Sequence, residues 1–182
     1  MRMENEETYP ECPTITRTIE LGGYTKQQLI KRLQEYSILL NEYGEMLLTD
    51  EKFTTSETKY NLQTVELPVG NLGFREGATT AQIYQKASEL GLELCPLELG
   101  AYLRLEYLDQ PEGDSGNYIH KNQAPTGSIT IATEVLTEDD NFPKGFYLRR
   151  INGKLWLRGY VADDLHIWKP KDHFVFCVKK EK

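Results

Sequence analysis

The sequence predicts an α+β fold. An N-terminal, duplicated strand-helix-turn-helix unit packs on a C-terminal antiparallel sheet that contains an Asn-Gly hairpin. Three observations carry this. Capped segments with helical spacing fall before residue 108, and alternating apolar segments fall after residue 128. Two early passages repeat each other, the helix pairs at a constant offset of 54 residues and the strands at 46, with eight extra residues between strand and helix in the second copy. Gly145 to Val161 reads as two alternating runs joined by Asn152-Gly153, and a two-residue type I′ turn needs φ > 0 at both central positions.

Composition bounds the rest. The chain has 182 residues, 39% hydrophobic and 27% charged, which is ordinary for a globular protein with a real core. No apolar run is long enough to span a bilayer, so no membrane association is expected. The N-terminus is acidic and lacks the apolar stretch of a secretory signal. The three cysteines, Cys12, Cys95 and Cys177, are odd in number and widely spaced, which fits a reducing cytoplasm. Net charge is −7, yet residues 141–182 carry ten Lys or Arg against four Asp or Glu. Such asymmetry marks either a basic binding surface or two halves that attract each other.

Taken in order, residues 1–13 read as a disordered lead rich in acids and proline. Residues 14–108 hold the duplicated region. A strand runs from Thr14 to Leu21, with Ile15, Arg17, Ile19 and Leu21 on one side. Thr25 and Gln28 form a capping box, and Leu29, Leu33 and Tyr36 face inward. Asn41 caps a second helix with Tyr43, Met46 and Leu47 inward. A second strand, Leu62 to Leu67, leads to Thr79, which caps a third helix with Ile83, Ala87 and Leu90 inward. Gly91 stands where a left-handed C′ residue is wanted. Pro96 fits the first turn of a fourth helix that buries Leu99, Tyr102 and Leu103. Residues 109–127 form a loop, long for a compact domain.

Residues 128–182 form the sheet region, and the whole is expected to be one domain. Ser128 to Leu136 is rich in β-branched residues and reads as a strand. The hairpin follows. Its register places Phe146, Leu148, Leu155, Leu157 and Val161 on a core face, and Tyr147, Arg149, Ile151, Trp156, Arg158 and Tyr160 on the other. His173 to Val178 is the last strand.

Candidate sites follow from residue type. Arg149 opposite Trp156, and Arg158 opposite Tyr147, are cross-strand cation–π pairs. An open sheet face of aromatic and basic residues can bind single-stranded nucleic acid, with bases on the rings and cations on phosphate. The alternative is that this face lies against the helical half with its arginines snorkelling. Tyr160, His166 and Trp168 extend the candidate surface. Asp163, Asp164 and His166 read as a solvated turn rather than a metal site, because adjacent residues of an extended chain point oppositely. Cys95 and Cys177 read as packing. Gly70, Gly73 and Gly77 are not followed by the Lys of a phosphate loop, and neither Gly-x-Ser-x-Gly nor His-Glu-x-x-His occurs. No catalytic residue, metal or cofactor is expected.

The segments Glu93 to Tyr107 and Gly145 to Tyr160 resemble an uncharacterised family of small bacterial proteins, some of which carry a "helicase" label. The resemblance covers the chain from about Ile15 onward. That label implies ATP hydrolysis, and the phosphate loop such an engine needs is absent. The resemblance therefore implies a nucleic-acid context and no functional residue. Each helix-turn-helix unit is also similar to the small helix-extended-helix modules of DNA-associated proteins. The reading from sequence is a cytoplasmic, non-enzymatic bacterial protein that binds a macromolecule through the hairpin face. Its partner is nucleic acid, or alternatively protein, including a second copy of itself. A ligand pocket or enzyme at the helix–sheet junction, with 109–127 as its lid, is a third reading.

Overall fold

Two threonines set where the helices begin. Thr25 Oγ1 accepts from the Gln28 N–H while Gln28 Oε1 accepts from the Thr25 N–H, and Thr79 with Gln82 repeats the arrangement. These boxes open α1 (Lys26–Glu35) and α3 (Thr80–Glu89). Both helices leave through a left-handed residue, Ser37 at φ 57° and Gly91 at φ 88°. The computed structural model that shows this describes residues 8–113 and 127–179. Within α1, Leu29 and Leu33 are buried, but Tyr36 is 44% exposed and lies beside Arg32 instead of the core. The left-handed turn at Ser37 carries the chain inward only at Ile38.

In α2 (Glu42–Thr49) the buried stripe is Gly44, Leu47 and Leu48, and the Tyr43 and Met46 expected there are half-buried. The Pro96 carbonyl accepts from the Leu99 N–H, so the proline opens a turn ahead of α4 (Leu99–Glu106) and is not in its first turn. Leu99 and Leu103 are fully buried and Tyr102 nearly so.

The strands are β1 (Ile15–Leu21), β2 (Leu39–Leu40), β3 (Tyr60–Pro68), β4 (Ala78–Thr79), β5 (Leu92–Glu93), β6 (Ile129–Ile131), β7 (Gly145–Ile151), β8 (Lys154–Tyr160), β9 (Ile167–Trp168) and β10 (His173–Val178). Eight form one sheet in the order β1-β3-β10-β6-β7-β8-β2, with β5 also on β10, and β4 pairs separately with β9. This revises the expected layering. The early strands do not pack on a C-terminal sheet; they complete it. The sheet is mixed, because β6 runs parallel to β10 and β2 parallel to β8. The reason is visible in β10, where Phe174, Val175, Phe176 and Cys177 are all buried, so the strand needs neighbours on both edges and cover on both faces. β6 is also shorter than expected. At Ala132 the chain leaves β7, its N–H bonds the Val175 carbonyl, and Thr133 bridges to Cys95.

Cover comes from both sides. Leu29, Leu33, Leu47, Leu48, Leu99 and Leu103 close over Ile129, Phe146, Leu148 and Leu157 on one face. Ile83 and Ala87 of α3, with Val69, Leu72 and Trp168, close over Val65, Leu67, Phe174 and Phe176 on the other. Val161, expected in the core, is 39% exposed because β8 ends at Tyr160. Residues 8–13, expected to be disordered, lie against the 69–72 turn: the Tyr9 N–H bonds the Asn71 carbonyl and Cys12 is buried. Residues 1–7 of that lead, and 114–126 of the expected long loop, lie outside the described residues. Among the described residues no helix is long and apolar enough to cross a membrane.

Candidate binding surface on the hairpin

The hairpin register places each residue of the candidate surface. Asn152 at φ 52° and Gly153 at φ 78° turn the chain, and Ile151 pairs with Lys154, Arg149 with Trp156, and Tyr147 with Arg158. The far edge of β8 is closed by Asn41. Its side chain caps α2 through the Gly44 N–H, and also donates to the Gly159 carbonyl and accepts from the Gly159 N–H. No side chain fits at Gly159: a Cβ there would stand 2.7–2.9 Å from Tyr43 and Gly44 backbone atoms.

The β7 edge is held from the other side. Gln110, 1% exposed, donates to the Leu148 and Gly127 carbonyls, and the Gly113 N–H bonds the Arg150 carbonyl. Glu112 pairs with Arg150 and accepts from the Gly153 N–H at the turn. The described ends of the 109–127 loop therefore line the edge of β7.

Beneath the hairpin, Arg104 of α4 is fully buried. Its guanidinium donates to Gln110 Oε1, to the carbonyls of Tyr107 and Trp156, and at 3.5 Å to that of Arg149. Burial lowers its pKa to about 10. Nothing in the sequence marks it, since it stands on a helix between two leucines.

The aromatic and basic face divides in two. Toward β10, the expected contacts are structural. Trp168 is 4% exposed, donates to Thr80 Oγ1 at 2.8 Å and packs edge-on against Phe174. Tyr160 lies between Trp168 and Tyr147, and burial pushes its pKa up to about 12. His166 sits edge-on to Trp168 at 4.7 Å. Burial lowers its pKa against the pull of Asp172 and Asp163, which favours the neutral ring. Among the described residues no cluster of His, Cys, Asp or Glu could hold a metal ion.

Toward the turn, the face is half-open. Arg158 lies over the Trp156 ring at 4.8 Å and over the Tyr147 ring at 5.9 Å, and its Nε donates to the Tyr147 hydroxyl at 2.7 Å. Tyr147, Trp156 and Arg158 are each half-buried. The cation on Trp156 is thus Arg158 from the same strand, not the cross-strand Arg149. Arg149 is only 5% exposed, and no hydrogen bond or ion pair among the described residues holds its guanidinium.

Two further features lie away from the hairpin. Glu66, 5% exposed, accepts from Arg17 at 2.8 Å and bonds His173 Nδ1 at 2.7 Å. A pocket of about 530 Å3 lies beside α3, with Ala87, Leu92 and Phe176 as apolar lining and the exposed carboxylates of Glu93 and Glu134. No family model, curated protein or solved structure matches the chain.

Proposed function

We propose that this is a cytoplasmic bacterial macromolecule-binding module without catalytic activity, and that single-stranded nucleic acid is what the hairpin face binds. The observation that carries this is the Arg158–Trp156 stack, steadied by the Tyr147 hydroxyl and only half-buried. A guanidinium held over an indole at a sheet surface offers a base a flat neighbour and a phosphate a fixed cation. Arg149 is buried, and Tyr160 and Trp168 belong to the aromatic core, so the outer contact set is Tyr147, Trp156 and Arg158. The matching capping boxes and left-handed exits of α1 and α3 support reading the two strand–helix units as an internal duplication.

Titration of Trp156 fluorescence with an oligothymidylate tests this. Each phosphate contacted contributes a slope of about −0.7 in log K against log salt for a single strand. Binding that ignores salt, or no binding, removes the proposal.

A protein contact is the second reading, and one observation favours it. Leu165 is 82% and Ile167 52% exposed, on either side of His166. Exposed apolar side chains close together are what a protein contact covers. A dimer detected by light scattering and lost on Leu165→Asp would support that reading.

A further inference from the structure

Arg149 presents an electrostatic problem that the fold leaves open. A guanidinium has five donors and its charge is costly to bury without a partner. The other buried arginine, Arg104, also has an unpartnered Nε, but its terminal nitrogens bond Gln110 and a set of backbone carbonyls. Arg149 has no such set. Its Nε has no partner, no carboxylate among the described residues pairs with it, and it stands one register step from Arg158, the residue opposite Tyr147. Burial lowers its pKa, Tyr147 pulls it back up, and the nearby Arg158 adds a smaller lowering. Two cations side by side, one of them more than nine-tenths buried, are what an anion completes.

The anion can be specified by shape. Arg149 is 5% exposed, so little of it can be reached along the open surface. An internal phosphodiester carries a sugar on each side and is a monoanion. A terminal monoester is bulky on one side only, carries about −1.5 to −2 charge at neutral pH, and presents three oxygens. It can approach a cation of which little is exposed more closely than an internal phosphate can. Resting on the nucleic-acid reading of this face, we propose that Arg149 and Arg158 together hold the terminal phosphate of a single strand, whose end nucleotide packs against the Arg158–Trp156 stack.

The test compares one oligothymidylate in three forms, with a 5′-phosphate, a 3′-phosphate, and hydroxyls at both ends. The structure predicts that one phosphorylated form binds about tenfold or more tightly than the hydroxyl form, in keeping with charge-assisted hydrogen bonds to a buried cation. Arg149→Met abolishes that preference while leaving the hydroxyl form's affinity nearly unchanged. Arg149→Lys keeps the charge but loses the fork, and it also loses most of the preference. Circular dichroism shows whether each variant is folded. If Arg149→Met does not fold, the lysine variant decides. Inorganic phosphate raises the melting temperature of the wild type and not of the lysine variant. Equal binding of all three forms overturns the terminal-phosphate site and leaves the binding face standing. Absence of binding by every form overturns both.

Discussion

Asn41 and Gly159 exchange two hydrogen bonds across the edge of the sheet, with Asn41 Nδ2 donating to the Gly159 carbonyl at 3.0 Å and Asn41 Oδ1 accepting from the Gly159 N–H at 2.9 Å. The same oxygen caps α2 through the Gly44 N–H at 2.7 Å. One side chain thus starts a helix and closes β8 where two-residue β2 ends. Asn41→Ala is expected to cost about 2 kcal/mol, combining the loss of an N-cap with unpaired backbone groups on β8. Urea unfolding measures it. Gly159→Ala is expected to cost about 1–3 kcal/mol from overpacking against the α2 backbone.

The Arg158–Trp156 pair leads to a binding prediction. Trp156→Ala should weaken oligonucleotide binding by about tenfold or more, the usual worth of a stacked base. Arg158→Ala should weaken it and flatten the salt slope by about 0.7, one phosphate contact. Trp168→Phe should leave affinity unchanged, because that ring faces Thr80 and Phe174 and not the open part of the sheet. Fluorescence anisotropy over a salt series reads all three.

Acid should act through Glu66. Burial tends to raise the pKa of its carboxyl, but the hydrogen bonds from His173 and Arg17 prevail and hold it below the usual carboxylate range. A carboxylate whose folded pKa is depressed adds stability that is present above the unfolded value, about 4.3, and is lost as pH falls through the folded one. The stability difference between wild type and Glu66→Gln should therefore be flat near neutrality and shrink below about pH 4. Urea unfolding across that range gives the curve.

Arg104 is predicted to be intolerant even of lysine. Its planar fork reaches Gln110, Tyr107 and Trp156 at once, which one ammonium cannot. Arg104→Lys should destabilise by about 2–4 kcal/mol, through unpaired buried acceptors and a buried charge with fewer bonds. Thermal unfolding checks this.

Local chemistry was legible in the sequence, and long-range pairing was not. Thr25, Thr79, Asn41 and Asn152-Gly153 each act within a few residues, so their caps and turn follow from residue type. Strand order depends on which edges meet, and nothing in Ile15–Leu21 or Tyr60–Pro68 says that they complete the late sheet. Alternation set the hairpin faces, but burial along one face varies. Arg149 and Arg158 share that face, and one is buried while the other is half-open. Period-2 patterning cannot separate them. The Glu66–Arg17–His173 cluster draws on three strands and has no local signature.

Whether the turn-proximal hairpin face binds single-stranded nucleic acid is decided by oligothymidylate titration of a Trp168→Phe protein, in which Trp156 is the reporting indole, over a range of salt. Trp156 emission should change saturably, with an affinity that falls steeply as salt rises. An emission that does not respond at low salt, with the protein shown to be folded, would contradict binding at this face.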